Sequence, residues 1–450
     1  MSADKSMSKV AMKRIQNFEK SRALASRARE LIPGGAHTYS KGADQFPFNS
    51  PGFIERADGC RVVDVDGNEY IDWGMGLRSV ALGYSYPRVI EAVEHEIAKG
   101  PNFLLPSPVE VELAEVLTRL IPSAEMVKFA KNGSNVTSAA IRLARAYTGR
   151  PYIAFCREHP FFSFDDWFIG TTPPNAGIPE ENYQHSLAFH YNDLLSLEAS
   201  FEKYPEQIAA VIMEPVTLEE PKDNFLEKVR DLTHRHGALL IFDEMISGFR
   251  WHLQGAQTYF NVIPDMSTFG KAIGNGFSVA VLAGRRAVME LGGIDHDKPR
   301  VFLLSTTHGA ETHSLAACVA TIKEMEEKDV ISHIWKIGKE LQDGFNNLAN
   351  EMGLADYVNC IGYPCNSAVI TRDRDGQVSL PLRTLFLQEM TAHGVLMPYI
   401  VVSFAHQRAE VERTLEAATE AFQVYARALE DGVDKYLVGP SVKPVFRRFN

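Results

Sequence analysis

The sequence predicts an α/β protein: a large domain with a mostly parallel central sheet flanked by helices, and a smaller α+β domain built from both chain ends. Three observations predict it. Runs such as AAVIMEPV (209–216) and LLIFDE (239–244) are apolar without alternation, which is how strands read when both faces of a parallel sheet are covered. Between them, LEKVRDLTHRHG (226–237) places Leu226, Val229 and Leu232 on one helical face and stops at Gly237, which makes a strand, helix, strand unit. The chain is also 450 residues long, more than one hydrophobic core ordinarily serves. The expected division is an N-terminal segment with part of the smaller domain (1–90), the large domain (91–325) and the rest of the smaller domain (326–450).

Taken in order, Ile15 to Leu31 reads as a polar helix, and the glycines and prolines of IPGGAHTYSKGADQFP (32–47) break any continuation. Phe53 to Ile71 reads as short strands, with Asp66-Gly67 as a hairpin turn. DWGMGLRS (72–79) follows, a glycine-rich loop with Arg78 as its one cation. Two readings of Arg78 stand, a grip on an anionic group and an ordinary solvated arginine. Val89 to Ile97 and Glu110 to Ile121 carry apolar residues at helical spacing. A strand at Val127 to Ala130 leads into KNGSNVTSAAIRLARAYTGR (131–150), a turn and a helix for which two readings stand, an ordinary capped helix and a phosphate cradle made by the first N–H groups at Gly133, Ser134 and Asn135. PYIAFC (151–156) is a further strand, and residues 170–191 read as loop. Near the C-terminus, helices around Ile331 to Met352 and Arg408 to Glu430 flank strands near Asn366 to Thr371 and Tyr399 to Phe404.

Composition narrows the class of protein. Hydrophobic residues make up 45% and charged residues 23%, ordinary for a globular chain. A net charge of -11 with no long basic run argues against nucleic-acid and acidic-membrane partners. Cys60, Cys156, Cys318, Cys360 and Cys365 are odd in number and lack the paired spacing of a zinc site, so no metal is expected and they read as reduced thiols of a cytoplasmic protein. No apolar stretch is long enough for a signal peptide core or a membrane span.

The chemistry concentrates between Leu239 and Gly276. A buried strand there delivers Asp243 and Glu244 at its C-terminal edge, where sites lie in open α/β sheets. Lys271 follows, set between Gly270 and Ala272 with Gly274 and Gly276 beyond, so a flat group can approach the backbone closely. An acid after an apolar strand is ordinarily a cap, and a lone lysine is ordinarily solvated. Together they suggest a pyridoxal 5'-phosphate site, with Lys271 bonding the aldehyde carbon and Asp243 pairing with the protonated pyridine nitrogen.

The text around the pair, including Gly248-Phe249-Arg250 and Pro264-Asp265, resembles the class III, fold-type-I aminotransferases, and most closely the branch of glutamate-1-semialdehyde 2,1-aminomutase. The resemblance is strongest from Gly52 to Val402. It implies pyridoxal phosphate as cofactor, Lys271 and Asp243 as catalytic residues, Glu214 near them, and Met245 on one face of the pyridine ring. It implies an aromatic on the other face: anchoring on Asp166 and Trp167 selects Phe161, with Phe162 and His159 as alternatives because the local length differs. Thr307, within STTHGAETHSLAA (305–317), corresponds to a threonine that reaches the phosphate of the neighbouring subunit, so a homodimer with shared sites is implied. Ser40 and Tyr39 are substrate-contact candidates by the same resemblance.

Three departures bear on the reaction. Gly76 and Leu77 stand where the aminomutase has a substrate-holding serine and tryptophan, and Asn135 stands where many members have an acid. Every group needed for amino transfer remains. The expected function is therefore a pyridoxal-phosphate-dependent aminotransferase acting on an amino donor and a small carbonyl metabolite, with an aminomutase as the alternative. A racemase or epimerase on the same cofactor stands further off. So does a non-catalytic binding protein, against which the presence of Lys271 argues.

Overall fold

A computed structural model describes residues 14–449. Its centre is a seven-stranded sheet in the order Met126–Ala130, Ala280–Gly284, Met266–Phe269, Leu239–Asp243, Ile208–Met213, Tyr152–Cys156, Ser186–Phe189. The five strands from Met266–Phe269 to Ser186–Phe189 pair in parallel, while Ala280–Gly284 runs antiparallel to both of its neighbours. The two apolar runs singled out in the sequence are adjacent strands in this sheet and are buried throughout. Between them lies the crossover helix Phe225–Arg235, with Leu226, Val229 and Leu232 inward.

On the other face, the helix Gly133–Thr148 buries Val136, Ala139, Ala140, Leu143 and Ala144. Small alanines let its backbone approach the sheet closely. Asn132 caps it, its Oδ1 accepting the Asn135 N–H at 3.1 Å, and Gly149 closes it in the left-handed conformation.

Two smaller sheets complete the fold. In one, Ile54–Asp58, Arg61–Asp64 and Glu69–Asp72 form an antiparallel meander, and Val395–Leu396 adds in parallel beside the last strand, so both chain ends contribute. The other is antiparallel, Val358–Tyr363, Asn366–Thr371 and Ile400–Val401. The helices Val330–Glu351, Leu380–Ala392 and Arg408–Asp431 pack over them around Phe345, Phe386 and Phe422.

The structure differs from the sequence reading in three places. Ser186–Phe189 is an edge strand inside the stretch expected to be loop; only Phe189 is buried, so no apolar run announces it. The strand expected over 399–404 shortens to Ile400–Val401, and the first helix begins at Glu19 rather than Ile15.

The last stretch forms a strap. Gln388 brackets it, donating to the Tyr436 carbonyl and accepting from the Val438 N–H. The Lys443 N–H then donates to the Asp44 carbonyl, Arg447 pairs with Asp44 at 2.6 Å, and the Phe446 ring lies 6.5 Å from that of Phe161. All five cysteines are buried and free. No helix among the described residues is long and apolar enough to cross a membrane.

Candidate active site

The parallel strands deliver their C-terminal ends to one place. Asp243 closes its strand there, with Glu214 just beyond the neighbouring one. Asp243 is buried; its Oδ1 accepts from the Met245 N–H at 3.0 Å and from Thr268 Oγ1 at 2.9 Å, leaving Oδ2 without a donor among the described residues. Burial raises its pKa, and Lys271 is the charge that most opposes this.

Lys271 follows Gly270 with φ +47°, a left-handed conformation that costs a lysine energy, and its amine lies within the field of the acids at the strand ends. Burial lowers its pKa; Asp243 and Glu214 work against that shift, while Arg78 and Arg250 add to it. A lysine amine held below its ordinary range is more often neutral and nucleophilic. Glu214 is buried beside Asp243 and pushed up to about 8, although Lys271 and Arg78 both favour its charged form; its Oε2 has no partner among the described residues.

Met245 joins these groups to the Gly133–Thr148 helix. A Cβ on Gly133 would stand 3.2 Å from its sulfur, and one on Gly270 only 2.6 Å. The thioether is therefore wedged between the helix start and the lysine loop, most tightly against Gly270. Ser134 is buried at the same helix start, its Oγ accepting the Phe164 N–H at 3.0 Å, while Asn135 is half-buried.

Of the three candidate rings, only Phe161 leaves a face open, at 45% exposure. Phe162 is 1% exposed and packs edge-on to Phe168. His159 is equally buried; its Nδ1 accepts the Glu214 N–H at 2.9 Å, and burial lowers its pKa to about 3. Thr307 is exposed, its carbonyl accepting from Asn102 Nδ2 at 3.0 Å. Ser40 and Tyr39 are exposed and do not line the adjoining cleft of ≈ 360 Å³; Lys41 does, together with Gly76, Ser79, Asn275 and Gly276.

The loop that carries Arg78 is a left-handed turn: Met75, Gly76, Leu77 and Arg78 have φ of 41°, 58°, 59° and 69°. For L-residues other than glycine this conformation costs about 1–2 kcal/mol each. Two residues that sequence reasoning passed over hold it. Arg250, fully buried, donates from Nη2 to the Arg78 carbonyl at 3.0 Å and from Nη1 to the Val402 carbonyl. Asn275 accepts from the N–H groups of Ala81 and Leu82 and donates to the Gly83 carbonyl, tying the following stretch to the lysine loop. Arg250 was visible only as part of a motif, and an asparagine between glycines carries no signal of its own.

Comparison with known proteins decides the family. The model of the aminotransferase class-III family matches residues 42–406. The chain belongs to the class-III aminotransferases. It is 34% identical to glutamate-1-semialdehyde 2,1-aminomutase of Haloquadratum walsbyi over 90% of this chain and 99% of that one. With the enzyme of the same name from Halobacterium salinarum it shares 38% over 80% and 82% of the two chains. Among solved structures, the FumI protein of Sphingopyxis sp. MTA144 superposes with a TM-score of 0.84 at 27% identity, over 92% of this chain and 98% of that one. An omega-transaminase from Sphaerobacter thermophilus superposes at 0.82 and 26%, over 90% and 98%. The expectation of a pyridoxal-phosphate-dependent enzyme with the class-III fold is borne out.

Proposed function

We propose that this class-III aminotransferase moves an amino group between a separate amino donor and a small carbonyl acceptor, with Lys271 and Asp243 as its catalytic residues. The observation that carries the reading is the pair itself: Asp243, buried, counters the lowering of the Lys271 pKa while Met245 bridges the lysine loop to a capped helix start. The residues fit pyridoxal 5'-phosphate. Asp243 Oδ2 is left for a ring nitrogen, the N–H groups of Gly133 and Ser134 suit the phosphate while that of Asn135 is taken by the Asn132 cap, and Phe161 and Met245 supply two apolar surfaces for the ring faces.

Bound there, pyridoxal phosphate supplies an electron sink for the electron pair left when the substrate Cα–H bond breaks. Lys271 Nζ, as the neutral amine that burial favours, takes the proton at that carbon and holds it for return. Asp243, as the carboxylate, keeps a positive charge on the ring nitrogen. Asp243 is buried and Lys271 half-buried, which limits the water that can compete for the proton.

The working unit is a homodimer. Phe103, Leu104, Leu105 and Phe302 are exposed apolar residues, and Asn102, next to the first of them, bonds to Thr307. A second copy covering them would bring its Thr307 toward a neighbour's phosphate site.

The aminomutase named by the relatives is the second reading, favoured by identities of 34–38% over most of the chain. Gly76 and Leu77 in the left-handed turn weigh against it. Purified protein with added cofactor is expected to absorb near ~420 nm and to lose the band in Lys271→Ala. Incubation with glutamate alone is expected to release 2-oxoglutarate; turnover of one amino-aldehyde with no response to a panel of amino donors would select the mutase instead.

A further inference from the structure

The strap that follows the helix Arg408–Asp431 is tied to separate parts of the molecule in turn. It leaves that helix at Gly432, where φ is +95°. Besides the two bonds to Gln388, the Val442 N–H donates to Thr384 Oγ1 at 2.9 Å, so the helix Leu380–Ala392 holds it at two places. The N-terminal segment holds it next. A Cβ on Gly439 would stand 2.5 Å from Phe48 Cβ, and Gln45 Nε2 donates to the Lys443 carbonyl at 3.0 Å beside the bond from Lys443 to Asp44. Irregular backbone near a chain end frays unless it is tied, because ordering each residue costs entropy. Pro440 and Pro444 lessen that cost by fixing φ.

The last ties deliver one ring. Arg447 pairs with Asp44 and donates from Nη1 to the Pro444 carbonyl at 2.8 Å, which folds the chain back over 444–447. Within that fold Phe446 lies 6.5 Å from Phe161, with the ring planes 32° apart. Phe161 belongs to the loop between the strand Tyr152–Cys156 and the short helix Asp166–Ile169. It meets two rings among the described residues: Phe168, edge-on at 6.1 Å, and Phe446. Phe168 is buried and comes from the same stretch of chain, whereas Phe446 comes from the far end. A half-exposed ring braced from two sides has less freedom to lose when a flat ligand stacks on it.

We propose that the strap is a clamp on the loop that carries Phe161, with Phe446 as a positioning residue for that ring and the Arg447–Asp44 pair as the latch. Retention of the cofactor then depends on residues beyond the stretch 42–406 that places the chain in its family. The proposal rests on the reading above in which Phe161 supplies a surface for one face of the pyridine ring. Substituting Phe161 tests that reading by itself.

Equilibrium dialysis of pyridoxal 5'-phosphate against the full-length apo-protein reads affinity without turnover. Phe446→Ala is expected to weaken binding about three- to tenfold, and Phe161→Ala by at least as much. The double variant is expected to bind no more weakly than Phe161→Ala alone, since Phe446 acts only through that ring. Arg447→Asp and Asp44→Arg each open the latch and weaken binding in the same direction. Combining them restores an ion pair with its charges exchanged and is expected to recover most of the loss. In the holoenzyme, the visible circular dichroism of the ~420 nm band is expected to fall in Phe446→Ala, because it reports how the cofactor is seated. If Phe446→Ala lowers the melting temperature of the apo-protein but leaves affinity and dichroism at wild-type values, the strap is a structural tie and the proposal fails. It fails as well if the losses of the two alanine variants multiply in the double variant. Unchanged affinity in Phe161→Ala would remove that ring from the cofactor, and the proposal with it. Absence of the ~420 nm band in the wild type would sink the aminotransferase reading first, and the proposal would fall with it.

Discussion

Asp243 and Glu244 are neighbours in sequence and opposites in use. Successive side chains of a strand leave on opposite faces, so one carboxyl goes to the Lys271 side and the other away from it. Glu244 turns to the loop at Gly255, where its oxygens accept from the N–H groups of Ala256 and Gln257 and from Gln257 Nε2, and where a Cβ on Gly255 would collide at 2.7 Å. The sequence offers both acids at the strand end and its reading selects Asp243 to stand with Lys271; the strand's alternation is the physical reason the two part. A second pairing at this scale is testable. Because Met245 sits against Gly270, a double-mutant cycle of Gly270→Ala with Met245→Ala is expected to show coupling of about 0.5–3 kcal/mol in denaturant unfolding. Glu214 gives the pH prediction. Its carboxyl is raised to about 8 by burial and by Asp243, so in the folded apo-protein it holds its proton where the unfolded chain has lost it. That contribution to stability is complete below about pH 4.5 and lost as pH rises through about 8. Wild-type apo-protein is therefore expected to lose thermal stability relative to Glu214→Gln between about pH 5 and about pH 8, measured by scanning calorimetry; parallel profiles would contradict it.

At the scale of elements, the left-handed turn at 75–78 and the helix at 133–148 differ in how the sequence announces them. The helix was legible because local chemistry decides it: Asn132 caps, the alanines pack, Gly149 ends it, and no distant residue is needed. Asn132→Ala is expected to cost about 1 kcal/mol of unfolding free energy. The turn was legible only as a glycine-rich loop, since Met75, Leu77 and Arg78 are types that avoid positive φ and are held there by Arg250, 172 residues away along the chain. Gly76→Ala adds a Cβ at φ +58°, 2.9 Å from Ser79 Oγ, and is expected to destabilise by about 1–2 kcal/mol. The edge strand Ser186–Phe189 escaped for a related reason, because its identity comes from pairing with Tyr152–Cys156 rather than from its own residues. The parallel core strands needed no such help, since burial on both faces writes itself into the sequence as an unbroken apolar run.

At the scale of the whole molecule, the seven-stranded sheet fixes where the site is, and the two smaller sheets, which draw on both chain ends, bring Arg78, Asn366 and Tyr399 together. That convergence joins residues 288 positions apart, which no local reading of the glycine-rich loop reveals. A dimer in solution would raise the melting temperature with protein concentration. Thr307→Ala is expected to weaken cofactor binding several-fold, read by equilibrium dialysis, if a neighbour's threonine completes the phosphate site; unchanged affinity would remove Thr307 from that role. The strap at the carboxyl end bears on how the protein is handled. Since Phe446 rests beside Phe161 and Arg447 is paired to Asp44, a purification tag or fluorescent fusion at that end would pull on the loop that carries Phe161. Tags belong at the amino end, and preparations carrying them at the other are expected to turn over more slowly.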